Sequence, residues 1–230
     1  MRPTGLQEVL GQPQAISSGS PLTELIAGSG GSSVLLWGPP GTGKTSFIFS
    51  IASLYNLDVC IVNLGPNVDD VAFMTSVSNL PDNSILVLED IDSLFIERDS
   101  SSQNKSFVTF SCILNTLDGI GRKHKLMTFM TSNFKDKFDK ALIRPGRIDK
   151  QVTFDYASKS QSKKMFLSYF PEQSDKFNLL WKKIKYKKYT TAILQSFFFN
   201  NVGSEDIMKK IDKLVETGIN NDSISSALYS

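Results

Sequence analysis

Short apolar runs recur through the first two thirds of the chain, at Ser32–Trp37, Val59–Leu64, Ile85–Leu88, Leu126–Met130 and Val152–Phe154. Runs of this length, most of them closed by a turn-forming or acidic residue, read as buried strands. The segments between them are long enough for crossover helices, and Ser46–Leu54, rich in Phe, Ile, Ala and Leu, reads as the first. Strands alternating with helices predict an α/β fold with a parallel five-stranded sheet flanked by helices. After Asp155 the period changes. Ser158–Phe170, Asp175–Ile184, Thr190–Asn200 and Ser204–Thr217 read as helices with no strand between them, Ser204 serving as an N-cap and Gly218 lying just past the last turn. The pattern predicts a core of residues 1–156 and a small all-helical lid of residues 157–230. The polar tract Ser100–Asn104 reads as a mobile loop of the core.

Between the first strand and its helix stands Gly38–Thr45, GPPGTGKT, which satisfies G-x-x-x-x-G-K-[ST] in the strand–turn–helix context that the motif requires. Pro40, Gly41, Thr42, Gly43, Lys44, Thr45 and Ser46 are therefore the expected nucleotide-binding residues. Backbone N–H groups must turn inward around a β-phosphate, and side chains at Gly41 and Gly43 would obstruct them. Lys44 supplies charge for the β- and γ-phosphates, and the Thr45 hydroxyl is placed to coordinate Mg²⁺. The expected ligands are ATP and Mg²⁺.

The third run ends in Glu89-Asp90-Ile91-Asp92, so a buried strand delivers carboxylates at its C-terminal edge, where open α/β sheets bind ligands. Strand alternation sends neighbouring side chains to opposite sides, which assigns Glu89 to the metal and Asp90 to the attacking water. Asp92 reads as a cap of the following helix or as a partner across an interface. The fourth run leads into Thr131-Ser132-Asn133, and Asn133 is suited to orienting water at the γ-phosphate, although an Asn after a strand is also an ordinary turn residue.

Thr131-Ser132-Asn133, Ala141-Leu142-Ile143-Arg144-Pro145-Gly146-Arg147 and Asp149 together resemble the second region of homology of AAA proteins. That resemblance implies arginine fingers at Arg144 and Arg147 that reach the nucleotide of the next subunit, and hence a homo-oligomeric ring of six or seven subunits. Guanidinium groups suit the task because they neutralise transition-state charge. Leu86–Asp92, Thr109–Gly119 and Phe129–Asp149 are similar to the mitochondrial inner-membrane branch that moves the folded Rieske protein during cytochrome bc complex assembly, which shares the inverted Glu-Asp order. That branch carries a membrane helix and a substrate-contacting domain ahead of its P-loop, for which this chain is expected to have no room. Residues 2–45, through Arg2-Pro3, Leu6, Glu8-Val9, Gly11-Gln12, Pro21-Leu22 and Leu35–Gly38, resemble bacterial replication-associated proteins of the clamp-loader branch. This second likeness implies adenine contacts at Val9 and Gly11. Every arginine lies at or before Arg147, so the lid lacks the sensor arginine usual in clamp loaders.

Charge adds little: 25 basic and 23 acidic side chains give a net charge of +2, with no field pointing to nucleic acid or an anionic membrane. Cys60 and Cys112 read as buried free thiols, and without a membrane-spanning run or a secretion signal the expected location is soluble and intracellular. Three functions remain open. The first is an ATP-driven ring that remodels or translocates a protein substrate; Gly65–Asp70 lacks the aromatic grip of threading rings, which favours a client handled folded. The second, not favoured, is a nucleic-acid-associated ATPase, drawn from the N-terminal likeness and the basic, aromatic run Trp181–Tyr189, which also reads as a solvated lid face. The third is a nucleotide-switched scaffold that hydrolyses little.

Overall fold

The computed structural model describes residues 32–62, 64, 68–92, 108–118, 126–134 and 147–220. Five parallel strands form the sheet: β1 (Ser33–Trp37), β2 (Asp58–Val62), β3 (Ser84–Leu88), β4 (Met127–Ser132) and β5 (Lys150–Thr153), in the order β2-β3-β4-β1-β5. The helices between them are α1 (Lys44–Tyr55), α2 (Asp70–Ser78) and α3 (Phe110–Asp118). β3 and β4 are buried along their whole length, whereas β2, at one edge, has only exposed and half-buried positions. Alternation along the inner strands sorts the core. Leu35, Leu86, Leu88 and Met130 share one cluster with Phe73 and Val77 of α2 and Cys112 and Ile113 of α3. The helix α1 buries Phe47, Ile48 and Ile51 and packs against β2 and β4.

Two compact units emerge among the described residues. The first runs to Gly38 and from Lys44 to Thr153; the second comprises Pro39–Gly43 and the chain from Phe154 onward. The second unit contains α4 (Lys159–Tyr169), α5 (Phe177–Ile184), α6 (Thr191–Asn200) and α7 (Ile211–Thr217), with 3₁₀ turns at Pro171–Lys176 and Ile207–Lys210. Ser158 opens α4 through a capping box with Gln161. Its core is aromatic: Phe166 lies 5.4 Å from Phe170, 5.7 Å from Phe177 and 5.7 Å from Phe198, ring centre to ring centre.

Several expectations are corrected here. The lid is not all helical, because β6 (Lys187–Lys188) and β7 (Ile219–Asn220) pair antiparallel. The last helical segment is capped by Asp206, whose side chain accepts from the Met208 N–H, and not by Ser204, whose carbonyl instead accepts from Gln173 Nε2. Only Cys112 is a buried thiol; Cys60 is half-buried on β2, which has no outer neighbour among the described residues. The tract Ser100–Asn104 lies outside the described residues. Three lysines of the basic run have partners within the second unit, although most of the run is exposed. Lys183 pairs with Asp212, Lys187 Nζ donates to the Val215 carbonyl at the end of α7, and Lys188 lies over the Tyr156 ring.

Replacing Phe166, which has no exposed surface, by Ala removes the ring that three others touch. The expected loss is about 3–5 kcal/mol, read from urea unfolding.

Candidate functional site

Parallel strands place their C-terminal ends on one edge, and β1, β3 and β4 each release a polar segment there. Gly38 leaves β1 with its N–H donated to the Ser132 carbonyl at the end of β4. The turn that follows contains Gly41 at φ 77° and Gly43 at φ 98°, conformations that a side chain would strain. Thr42 is buried, its hydroxyl donating to the Pro39 carbonyl at 2.8 Å, while Pro40 and Ser46 are exposed.

Lys44 opens α1 and is 8% exposed. Its ammonium donates to the Gly38 carbonyl at 2.6 Å and to Asn133 Oδ1 at 2.9 Å. Burial lowers its pKa, and the charges of Asp90 and Asp92 oppose that shift. The next hydroxyl, Thr45 Oγ1, donates to Glu89 Oε1 at 2.7 Å. This pair offers two oxygen donors side by side, a set that fits Mg²⁺.

Glu89 and Asp90 both lie beyond the end of β3, so pleat alternation is not what separates them. Asp90 adopts a left-handed backbone at φ 48°, which aspartate tolerates better than most residues, and its N–H is held by Thr131 Oγ1 at 3.0 Å. That kink sends its carboxylate to Asn133, whose Nδ2 donates to Asp90 Oδ1 at 3.2 Å. Desolvation of its inner face, then the neighbouring charges of Asp92 and Glu89, push the Asp90 carboxyl above the ordinary carboxylate range, although part of the residue meets solvent. Glu89 therefore faces α1 and Asp90 faces the end of β4.

Asp92 makes a contact that neither sequence reading anticipated, and the segment it was expected to cap lies outside the described residues. Asp92 is 4% exposed, and its Oδ1 accepts the backbone N–H of Asn133 at 3.2 Å. The Ile91 N–H donates to the Thr131 carbonyl at 3.0 Å, so residues 90–92 and 131–133 are joined by four hydrogen bonds beyond the sheet. Sequence reasoning named Thr131 and Asp92 but missed the contacts they make between the ends of β3 and β4. Their signal was only the motif's adjacency to neighbouring strands. Asp149 accepts from the Ser33 N–H at 2.8 Å and donates its own N–H to the Ser33 carbonyl, fastening β5 to the start of β1. Arg147 is half-buried just ahead of β5. Val9, Gly11 and Arg144 lie outside the described residues.

Comparison with known proteins gives this geometry a context. Residues 34–156 match the family model described as ATPase family associated with various cellular activities (AAA). A probable mitochondrial chaperone BCS1-B of Dictyostelium discoideum is 33% identical over 79% of this chain and 46% of its own length. A probable mitochondrial chaperone bcs1 of Schizosaccharomyces pombe is 36% identical over 74% of the chain and 38% of its own. The human mitochondrial chaperone BCS1 is 37% identical over 61% of the chain and 35% of its own. The chain thus spans less than half the length of these relatives. In fold, the crystal structure of the FIGL-1 AAA domain aligns with a TM-score of 0.67 at 17% identity, covering 99% of this chain and 88% of that one.

The Asp92 contact has a stability consequence. Asp92→Ala leaves the Asn133 N–H without its acceptor and is expected to cost about 1–3 kcal/mol, whereas Asp92→Asn, which retains an acceptor oxygen, should recover most of that loss in the same urea unfolding experiment.

Proposed function

The chain belongs to the AAA family of ATPases, and from that premise we propose that it hydrolyses ATP as one subunit of a homo-oligomeric ring, of six or seven copies, that remodels or translocates a protein substrate. The observation that carries this reading is the hydrogen-bonded set Lys44, Asn133 and Asp90 beside the pair Thr45 and Glu89.

In this reading the loop Pro40–Ser46 holds the phosphates, and Lys44 neutralises the β- and γ-oxygens. Thr45 and Glu89 would hold Mg²⁺. When bound, the cation supplies charge for the β- and γ-phosphate oxygens. Asp90 takes the proton of the attacking water, a task suited to a carboxyl whose proton affinity is raised, and Asn133 orients that water through its amide. Arg144 and Arg147 act on the nucleotide of the adjoining subunit, and Val9 and Gly11 contact adenine.

The relatives are named as chaperones, which supports a protein client over nucleic acid. The partners of Lys183, Lys187 and Lys188 point the same way, since those charges are engaged within the lid. Among the described residues no helix is long and apolar enough to cross a membrane.

Steady-state hydrolysis tests the chemistry. Asp90→Asn should lower kcat by about 10²-fold or more while ATP still binds, and Lys44→Ala should abolish binding itself. An Asp90→Asn rate equal to wild type would remove Asp90 from the mechanism. The ring is tested by mixing: Arg144→Ala subunits added to wild type should inhibit beyond simple dilution, because each finger serves a neighbour. Activity that falls only in proportion to the wild-type fraction would show that the sites are not shared.

A further inference from the structure

The glycine-rich turn is gripped from its outer side. Within the second unit, the Gly41 carbonyl accepts two hydrogen bonds, from the Ala192 N–H at 3.0 Å and from the Thr191 hydroxyl at 3.0 Å. Both donors stand on the first turn of α6, whose start is capped by Thr190 accepting from the Ile193 N–H. A carbonyl oxygen has two lone pairs and can satisfy both donors at once. The Ala192 N–H is one of the groups that a helix start leaves without an intrahelical partner, so the contact also completes α6.

The approach is close. A Cβ at Gly41 would lie 3.1 Å from Ala192 Cβ and 3.1 Å from Thr190 Oγ1, and one at Gly43 would lie 3.7 Å from Thr191 Oγ1. Gly41 is therefore demanded twice, by its φ of 77° and by the helix seated against it.

The grip has a directional effect. The described chain contains no cis peptide, and in a trans peptide the C=O of one residue and the N–H of the next point in opposite directions. Holding the Gly41 oxygen toward α6 turns the Thr42 N–H away from α6. The Thr42 hydroxyl, folded back onto the Pro39 carbonyl at 2.8 Å, restrains the same residue from its other end. We propose that Thr191 is a positioning residue for the phosphate cradle: its hydroxyl, together with the Ala192 amide, sets the Gly41–Thr42 peptide so that the Thr42 N–H is presented to the phosphates of the nucleotide. The inference rests on the P-loop reading above. Thr191 touches no reacting atom; it acts through the loop.

The test uses the full chain and a fluorescent ADP analogue, with ATP turnover in parallel. Thr191→Val retains the shape and loses the donor. It should raise the Kd for the analogue and the KM for ATP roughly three- to tenfold, the value of one neutral hydrogen bond, while kcat stays within about twofold. Thr191→Ser should return both constants to within about twofold of wild type, and the melting temperature of the nucleotide-free protein should be the same for all three. Wild-type affinity in Thr191→Val, or failure of Thr191→Ser to rescue, overturns the proposal. Should Thr191→Val melt early, Thr191→Ala takes its place, and wild-type affinity in that variant is equally decisive. Lys44→Ala separates the two levels of the argument. If it binds the analogue as wild type does, the P-loop reading and the grip fall together; if it does not bind while Thr191→Val matches wild type, only the grip falls.

Discussion

A buried ammonium has to be surrounded by acceptors and counter-charge, and much of the first unit's functional edge follows from where Lys44 sits. Moving such a group out of water costs several kcal/mol even after relaxation, so an 8% exposed lysine at the start of α1 persists only with good partners. The Gly38 carbonyl is supplied by the turn itself and Asn133 Oδ1 by the neighbouring strand. Asp90 and Asp92 hold up its proton affinity against desolvation. The same amide that accepts from Lys44 donates to Asp90, so one planar side chain ties the cation to the carboxylate. Asn133 can serve both because its own backbone is fixed by Asp92.

The backbone at this edge is shaped by the same demand. Asp90 at φ 48° is the kind of local conformation that survives only where the surroundings impose it, and Thr131 imposes it by accepting the Asp90 N–H. The kink assigns the two adjacent carboxylates to different neighbours, Glu89 to Thr45 and Asp90 to Asn133. An aspartate in the second position suits a left-handed backbone, which gives the Glu89-Asp90 order a physical basis within this chain.

What could be read from the sequence follows from the range of each interaction. Strands, the glycine turn and the acidic strand end were legible because each is written in consecutive residues: a buried run such as Ile85–Leu88, or GPPGTGKT between a strand and a helix. The contact of Asp92 with Asn133 spans 41 positions and that of Thr191 with Gly41 spans 150, and no local pattern marks either. The pairing of β6 with β7 escaped for a related reason. Two lysines and a two-residue partner have no hydrophobic alternation, and Lys187 reaches the Val215 carbonyl beside the pair. The choice between Ser204 and Asp206 as cap was equally hidden, since both residue types cap helices well. The 3₁₀ turn at Ile207 decides it by placing the Met208 N–H within reach of Asp206.

The two scales of similarity also separate on physical grounds. A buried parallel strand asks only for apolar side chains of fitting volume, so many sequences satisfy β1, β3 and β4, and a fold can persist at 17% identity with a TM-score of 0.67. The polar edge is less forgiving. Replacing Asn133 by an apolar residue would leave Lys44 and Asp90 each short of a partner, and no change of volume elsewhere would restore it. Substitutions are therefore tolerated through the sheet and resisted at its C-terminal edge. A fold likeness at low identity consequently carries the scaffold and says little of the work done on it, while the placement of a few hydrogen-bonded side chains limits the chemistry that the scaffold can perform.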